Sequence, residues 1–336
     1  MPTPVSLRED PVPYALDPEL APWAAEVPSM PFDDVPRARA LSAELSAGRP
    51  PRETSGLVDV RTLNVAGAEG VPEVPVRVYT PTGGDRIKAA LVYLHGGGFC
   101  LGDLGSADGI GAMLAAETGA VVVCVGYRLA PENPFPDAID DCWAVLDWLV
   151  GHAAELSVHP ARIGVGGDSA GGGLAAAVSL FARDRGGPVP AFQYLGMPVL
   201  DDRLETASMR AFTDTPGLRR ADAVAMWDNY LGAGARGGTD VSVYAAPARA
   251  SDLSGLPPAY VSACEFDPLR DEALAYATRL LAAGVPTELH VYPGTFHASG
   301  IIQDAEISRQ MVRDTVAAIR RGLREEARAA YSPGAC

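Results

Sequence analysis

Lysine is almost absent from this chain. Lys88 is the only one among 27 basic residues, set against 42 acidic ones for a formal charge of −15. Attraction to a phosphate backbone or an anionic membrane needs clustered basic side chains, and paired arginines such as Arg219-Arg220 are the nearest approach. Nucleic acid and membrane surfaces are therefore not expected as partners, and the acidity reads as a solubility feature. Uninterrupted apolar runs long enough to span a bilayer are also missing. Residues 1–10 lack a basic stretch followed by an apolar one, so no secretory signal is expected. Cysteine is scarce: Cys100, Cys124, Cys142, Cys264 and Cys336 are odd in number and lack metal-ligand spacing. Cys124 and Cys264 fall in apparent strands and Cys142 in a helix, which suits small core side chains. The expectation is a reduced, cytoplasmic protein with no metal.

What the chain does have is apolar material in quantity. With 336 residues, 48% apolar and 21% charged, it suits one large α/β domain carrying insertions. Residues 57–63 and 74–79 read as a paired antiparallel start. Buried strands follow at 89–94, 120–125, 162–165, 192–195, 259–264 and 288–292. Helices are expected at 110–117, 138–150, 174–180, 269–283 and 305–327. Continuous apolar runs separated by helices call for a mostly parallel eight-stranded sheet covered on both faces. The alternation fails twice. Residues 1–50 are rich in Pro and Ala, with one helix at 35–45, and residues 201–250 are polar and Gly-rich, with one helix around 221–231. Neither segment can join the sheet. Residues 1–50 and the inserted 201–250 are expected to pack as a helical cap over its carboxyl edge, with 51–200 and 251–330 forming the main domain.

The chemistry starts at Gly167-Asp168-Ser169-Ala170-Gly171, between a strand and a small-residue helix. A Gly-x-Ser-x-Gly at that junction is the nucleophile elbow of an α/β-hydrolase fold. A serine hydroxyl is a weak nucleophile at neutral pH; it needs a base, and the base needs an orienting acid. Of the five histidines, His152 and His159 flank the start of the elbow strand, at the wrong end of the sheet. His290 lies within a strand. His297 follows the last strand on a loop at the carboxyl edge, where open α/β sheets bind ligands. The acid should follow a strand and precede that histidine in chain order. Asp267 does both, although an Asp before a helix also serves as an N-cap, and Glu265 and Asp271 are local competitors. Donors for a developing oxyanion come from His95-Gly96-Gly97-Gly98, through the amides of Gly97 and Gly98, joined by the amide of Ala170. A glycine turn after a strand could instead cradle phosphate, but no Gly-Lys-Ser/Thr and no strict G-x-G-x-x-G follows.

Taken together, His95-Gly96-Gly97-Gly98, Tyr127-Arg128-Leu129-Ala130-Pro131-Glu132, the 167–172 elbow and Asp267-Pro268-Leu269-Arg270-Asp271-Glu272 form a specific combination. From about residue 55 to the end, the chain resembles the bacterial hormone-sensitive-lipase-like esterases (family IV, α/β-hydrolase fold 3), in the branch with a Gly-Asp-Ser-Ala-Gly elbow. The resemblance implies a Ser169, Asp267 and His297 triad, with His95 and Gly96 positioning the glycine loop rather than reacting. It implies that the 127–132 stretch buttresses that loop and that the amino-terminal segment forms much of the cap. It further implies a carboxylic-ester hydrolase acting on acetyl to hexanoyl esters through an acyl-serine, with a small-molecule ester as partner and no cofactor. A homodimer is compatible with the sequence but not specified by it. An amidase or peptidase on the same triad is one alternative. A non-catalytic small-molecule receptor on the same fold is another, and retention of His297 speaks against it. Two departures stand out. No aromatic residue follows two positions after His297, and Cys100 sits beside the glycine loop with no evident base.

Overall fold

The computed structural model describes residues 14–47, 56–67 and 71–324. Among these, eight strands form one sheet: β1 (Val58–Val65), β2 (Val74–Pro81), β3 (Lys88–Leu94), β4 (Val121–Val125), β5 (Val158–Asp168), β6 (Gln193–Gly196), β7 (Ala259–Phe266) and β8 (Thr287–Phe296). Their spatial order is β1-β2-β4-β3-β5-β6-β7-β8. β2 runs antiparallel to β1 and β4, and every other pairing is parallel. The helices are α1 (Ala21–Ala24), α2 (Val35–Ala47), α3 (Leu104–Thr118), α4 (Asp137–Gly151), α5 (Ala170–Arg185), α6 (Ala207–Ala211), α7 (Arg220–Leu231), α8 (Arg270–Ala282) and α9 (Glu306–Gly322). This is the α/β-hydrolase architecture that the sequence pattern requires.

The period-two geometry of a strand explains the two-sided core. In β3, Ala90, Val92 and Leu94 face a cluster that includes Val145 and Leu149 of α4 and Leu174 and Val178 of α5. Leu91 and Tyr93 point the other way, into a cluster with Leu114 of α3 and Val316 and Ile319 of α9. β4 is buried at every position, as a central parallel strand must be. Because β3, β5, β7 and β8 run parallel, their carboxyl ends share one edge. The residues that follow them are His95, Ser169, Asp267 and His297. No helix among the described residues is long and apolar enough to cross a membrane.

Several boundaries differ from expectation. α3 begins at Leu104 rather than at 110, because Asp103 and Ser106 build a reciprocal capping box ahead of a stretch that its glycines disguise. β5 starts at Val158, and β8 continues through Pro293, which an edge strand tolerates. Residues 201–250 hold two α-helices, not one. The additional α6 is five residues long, too short for periodicity, and starts where Thr206 Oγ1 accepts from the Met209 amide at 3.2 Å. α9 ends at Gly322, five residues earlier than expected, and the expected helical residues 325–327 lie outside the described residues. So does Cys336.

Contacts from both irregular segments reach the carboxyl edge. Asn229 of α7 donates to the Phe32 carbonyl at 2.8 Å. Tyr230 stacks on Phe99, ring centroids 3.9 Å apart and 8° from parallel. The Tyr14 ring lies against Phe212 and Phe266.

Candidate active site

Ser169 stands between β5 and α5 with φ 57° and ψ −119°. A non-glycine residue in that region stores about 1–3 kcal/mol of strain, so the surroundings must impose it. They do so through three backbone hydrogen bonds. The Ser169 amide donates to Gly196 O at 2.7 Å, while its carbonyl accepts from the amides of Gly173 at 3.0 Å and Val199 at 3.1 Å. Glycine is needed two residues later: a Cβ on Gly171 would overlap the Leu94 carbonyl oxygen and lie 2.6 Å from that of His95. The elbow is thus wedged against the end of β3.

His297 links the other two expected residues. Its Nε2 lies 3.0 Å from Ser169 Oγ, and its Nδ1 lies 2.7 Å from Asp267 Oδ2. A carboxylate only accepts, so Nδ1 carries the proton and Nε2 is left to accept from the serine hydroxyl. All three side chains are buried, Asp267 completely. The capping reading of Asp267 also holds in part, since its Oδ1 accepts from the Leu269 amide at 2.9 Å. One oxygen anchors the turn and the other orients the imidazole. The competing acids are engaged elsewhere: Glu265 accepts from the Gly294 amide at 2.7 Å, and Asp271 from the Ser208 amide at 2.7 Å.

The remaining histidines are engaged in other ways. His95 stacks on Tyr127 at 4.3 Å and hydrogen-bonds Gly96 O through Nδ1 at 2.8 Å, while Tyr127 Oη donates to the His95 carbonyl at 2.7 Å. Burial disfavours the charged form of the His95 imidazole and pushes its pKa below the ordinary value. His152 bonds the Trp148 carbonyl, His159 lies at the start of β5, and His290 pairs with Glu288 on edge strand β8. Cys100 is buried and its thiol is pushed up to about 12, which keeps it protonated and unreactive.

The glycine loop turns directly above the elbow. Gly97 and Gly98 have φ of 123° and 59°, where a side chain would be strained. Among the described residues, no protein group accepts from the amides of Gly97, Gly98 or Ala170. A Cβ on Gly98 would lie 2.5 Å from Met226 Sδ and 2.6 Å from Phe32 Cε1, so both irregular segments press on this turn. Gly96 is less confined: a Cβ there would lie 3.0 Å from the Asp168 carbonyl oxygen and 3.4 Å from the Ser169 Cβ.

Two further acids, half-buried Asp168 and buried Glu272, stand near the site without a contact that the sequence reveals. Asp168 accepts from Tyr93 Oη at 2.7 Å and from Tyr194 Oη, and burial raises its carboxyl despite those bonds. Glu272 accepts from the Leu200 amide at 2.7 Å through Oε1, while its buried Oε2 has no partner among the described residues. Burial pushes the Glu272 carboxyl well above the usual carboxylate range. A raised folded pKa makes the native state hold the proton longer. Stability from this group is therefore present below the unfolded value, about 4.3, and falls as pH climbs towards the folded value. Glu272→Gln keeps an acceptor for Leu200 and removes the titration. The Tm difference, variant minus wild type, is expected to grow in the variant's favour from about pH 5 to about pH 8. A difference that stays constant over that range contradicts the buried neutral acid.

Residues 91–300 match the family model described as alpha/beta hydrolase fold. The chain is 42% identical over 274 residues to carboxylesterase NlhH of Mycobacterium tuberculosis (strain ATCC 25618 / H37Rv), covering 79% of this chain and 82% of that one. It is 35% identical over 246 residues to ethyl acetate hydrolase of Pseudomonas putida, covering 71% and 76%. Among solved structures, a bacterial heroin esterase superposes with a TM-score of 0.88 at 47% identity, covering 92% of this chain and 98% of that one.

Proposed function

The chain belongs to the α/β-hydrolase fold family, among its hormone-sensitive-lipase-like family IV esterases, and from that premise we propose how its residues hydrolyse an ester. It is a serine carboxylesterase. The observation that carries the residue assignment is the continuous chain from Asp267 Oδ2 through His297 to Ser169 Oγ, with links of 2.7 and 3.0 Å.

His297 Nε2 takes the Ser169 proton as Oγ attacks the ester carbonyl. In this reading the developing oxyanion accepts from the amides of Gly97, Gly98 and Ala170, each such donor lowering the barrier by about 3–4 kcal/mol. His297 then passes the proton to the departing alcohol, leaving an acyl-Ser169. In the second half the imidazole takes a proton from water, which attacks the acyl carbonyl, and returns it to the departing Ser169 Oγ as the acid is released. Asp267 holds the tautomer and stabilises the imidazolium without itself taking the proton. Every step uses this chain's side chains and amides, so the proposed chemistry needs no metal or organic cofactor.

Residues 14–47 and 201–250 act in this reading as the cap, and the sequence of the elbow supports the Gly-Asp-Ser-Ala-Gly branch. Among the described residues, four buried, unpaired thiols suit a reducing, cytoplasmic setting. The substrate is a small-molecule ester with a short acyl group, because Phe32 and Met226 already fill the space beside Gly98. Among p-nitrophenyl esters, kcat/KM is expected to peak between acetate and hexanoate. By laurate it should fall at least about tenfold, the scale of one lost binding contact. A flat series, or a maximum at laurate, overturns the short-chain reading.

A further inference from the structure

Arg39, in amino-terminal helix α2, makes more contacts than a surface arginine needs. Its Nε donates to the Cys100 carbonyl at 2.9 Å and its Nη2 to the Ala130 carbonyl at 3.1 Å. The two terminal nitrogens also grip the Glu132 carboxylate, each at 2.8 Å. One planar group thus ties three segments that are distant in sequence: α2, the turn following Gly98, and the stretch ending at Glu132.

Those two carbonyls belong to the scaffold of the glycine turn. The amides of Cys100 and Leu101 both return to Gly97 O, at 3.1 and 2.9 Å, and the Ala130 amide donates to Phe99 O at 2.9 Å. Cys100 is two residues beyond Gly98, so a shift of its carbonyl turns the amides of Gly97 and Gly98 with it. Glycines with φ of 123° and 59° have little intrinsic preference to hold that orientation. The guanidinium therefore fixes from outside what the glycines cannot fix for themselves. A lysine could satisfy one of these acceptors but not the fork and both carbonyls together.

We propose that Arg39 is a positioning residue for the oxyanion turn: by gripping Cys100 O, Ala130 O and Glu132 it sets where the Gly97 and Gly98 amides point. The amino-terminal segment then contributes to the chemical step and not only to covering the site. The inference rests on the acyl-serine reading above, and the two are tested separately. Stoichiometric phosphonylation of wild-type Ser169 tests the reading alone.

The test of Arg39 uses Arg39→Met, which keeps the apolar stem, and Arg39→Lys, which keeps the charge. Both are made in the full chain and assayed with p-nitrophenyl butyrate, with kcat expressed per phosphonate-titrated site. Misplaced oxyanion donors act on the transition state and not on ground-state binding, so kcat should fall while KM stays within about threefold. The expected loss in Arg39→Met is about 10- to 100-fold, with Arg39→Lys losing less. A lowered Tm with kcat per site unchanged in either folded variant overturns the proposal, since it leaves Arg39 only a structural tie. If Arg39→Met fails to fold, Arg39→Lys decides by the same criterion: a loss of kcat at constant KM supports the role, and wild-type kcat removes it.

Discussion

Replacing Ser169 with alanine is expected to cut kcat on p-nitrophenyl butyrate by about 10⁴- to 10⁶-fold while the protein stays folded. The substitution removes one oxygen and leaves the Cβ, so the strained backbone at φ 57° is asked for nothing new. All three backbone hydrogen bonds that hold the elbow remain. What disappears is the atom 3.0 Å from His297 Nε2, and with it the covalent route. Residual turnover would come from the oxyanion donors and the bound imidazole acting on water. Titration of folded protein by circular dichroism alongside the assay separates loss of chemistry from loss of structure. Retention of more than about one per cent of wild-type kcat contradicts Ser169 as nucleophile.

Asp267→Asn is expected to lower kcat by about 10⁴-fold, again with the fold intact. The reason lies in the two duties of this side chain. Oδ1 accepts from the Leu269 amide at 2.9 Å and Oδ2 accepts from His297 Nδ1 at 2.7 Å. An amide has one acceptor oxygen, so it can serve only one of the two donors. If the oxygen stays on Leu269, the NH₂ faces Nδ1 and forces the proton onto Nε2, where it can no longer accept from Ser169. If the oxygen turns to His297, the NH₂ faces the Leu269 amide and the turn before α8 loses its anchor. Either arrangement leaves the base impaired. A pre-steady-state burst of p-nitrophenolate should shrink or vanish in the variant. A variant within about tenfold of wild type contradicts the orienting role, since that loss is far smaller than a wrong tautomer causes.

The parts of this site that could be read from the sequence were those with a local signature. The elbow needs glycines on both sides of the serine, and Gly171 shows why, being pressed against the Leu94 carbonyl. Asp267 and His297 were legible because each directly follows an apolar strand at the carboxyl edge, and parallel strands bring such positions together. The parts that escaped depend on packing between distant segments. Asp168 meets its two tyrosines because Tyr93 and Tyr194 both pair in register with Gly166, two residues before it. No pattern within any one strand reveals that. Arg39 lies among prolines, alanines and other arginines with nothing local to mark it. Its partners at Cys100, Ala130 and Glu132 come from 61 to 93 residues further along. The start of α3 was hidden by glycines, and α6 by its length of five residues.

The central claim is that the reaction passes through a bond to Ser169 Oγ. It is tested most directly by treating the full chain with a stoichiometric p-nitrophenyl alkylphosphonate, then following p-nitrophenolate release, residual activity and the modified peptide by mass spectrometry. The expected result is one p-nitrophenolate per chain, activity lost in step with release, and the adduct on Ser169. Inactivation with the adduct elsewhere, on Cys100 for example, or full activity with Ser169 phosphonylated, would contradict it.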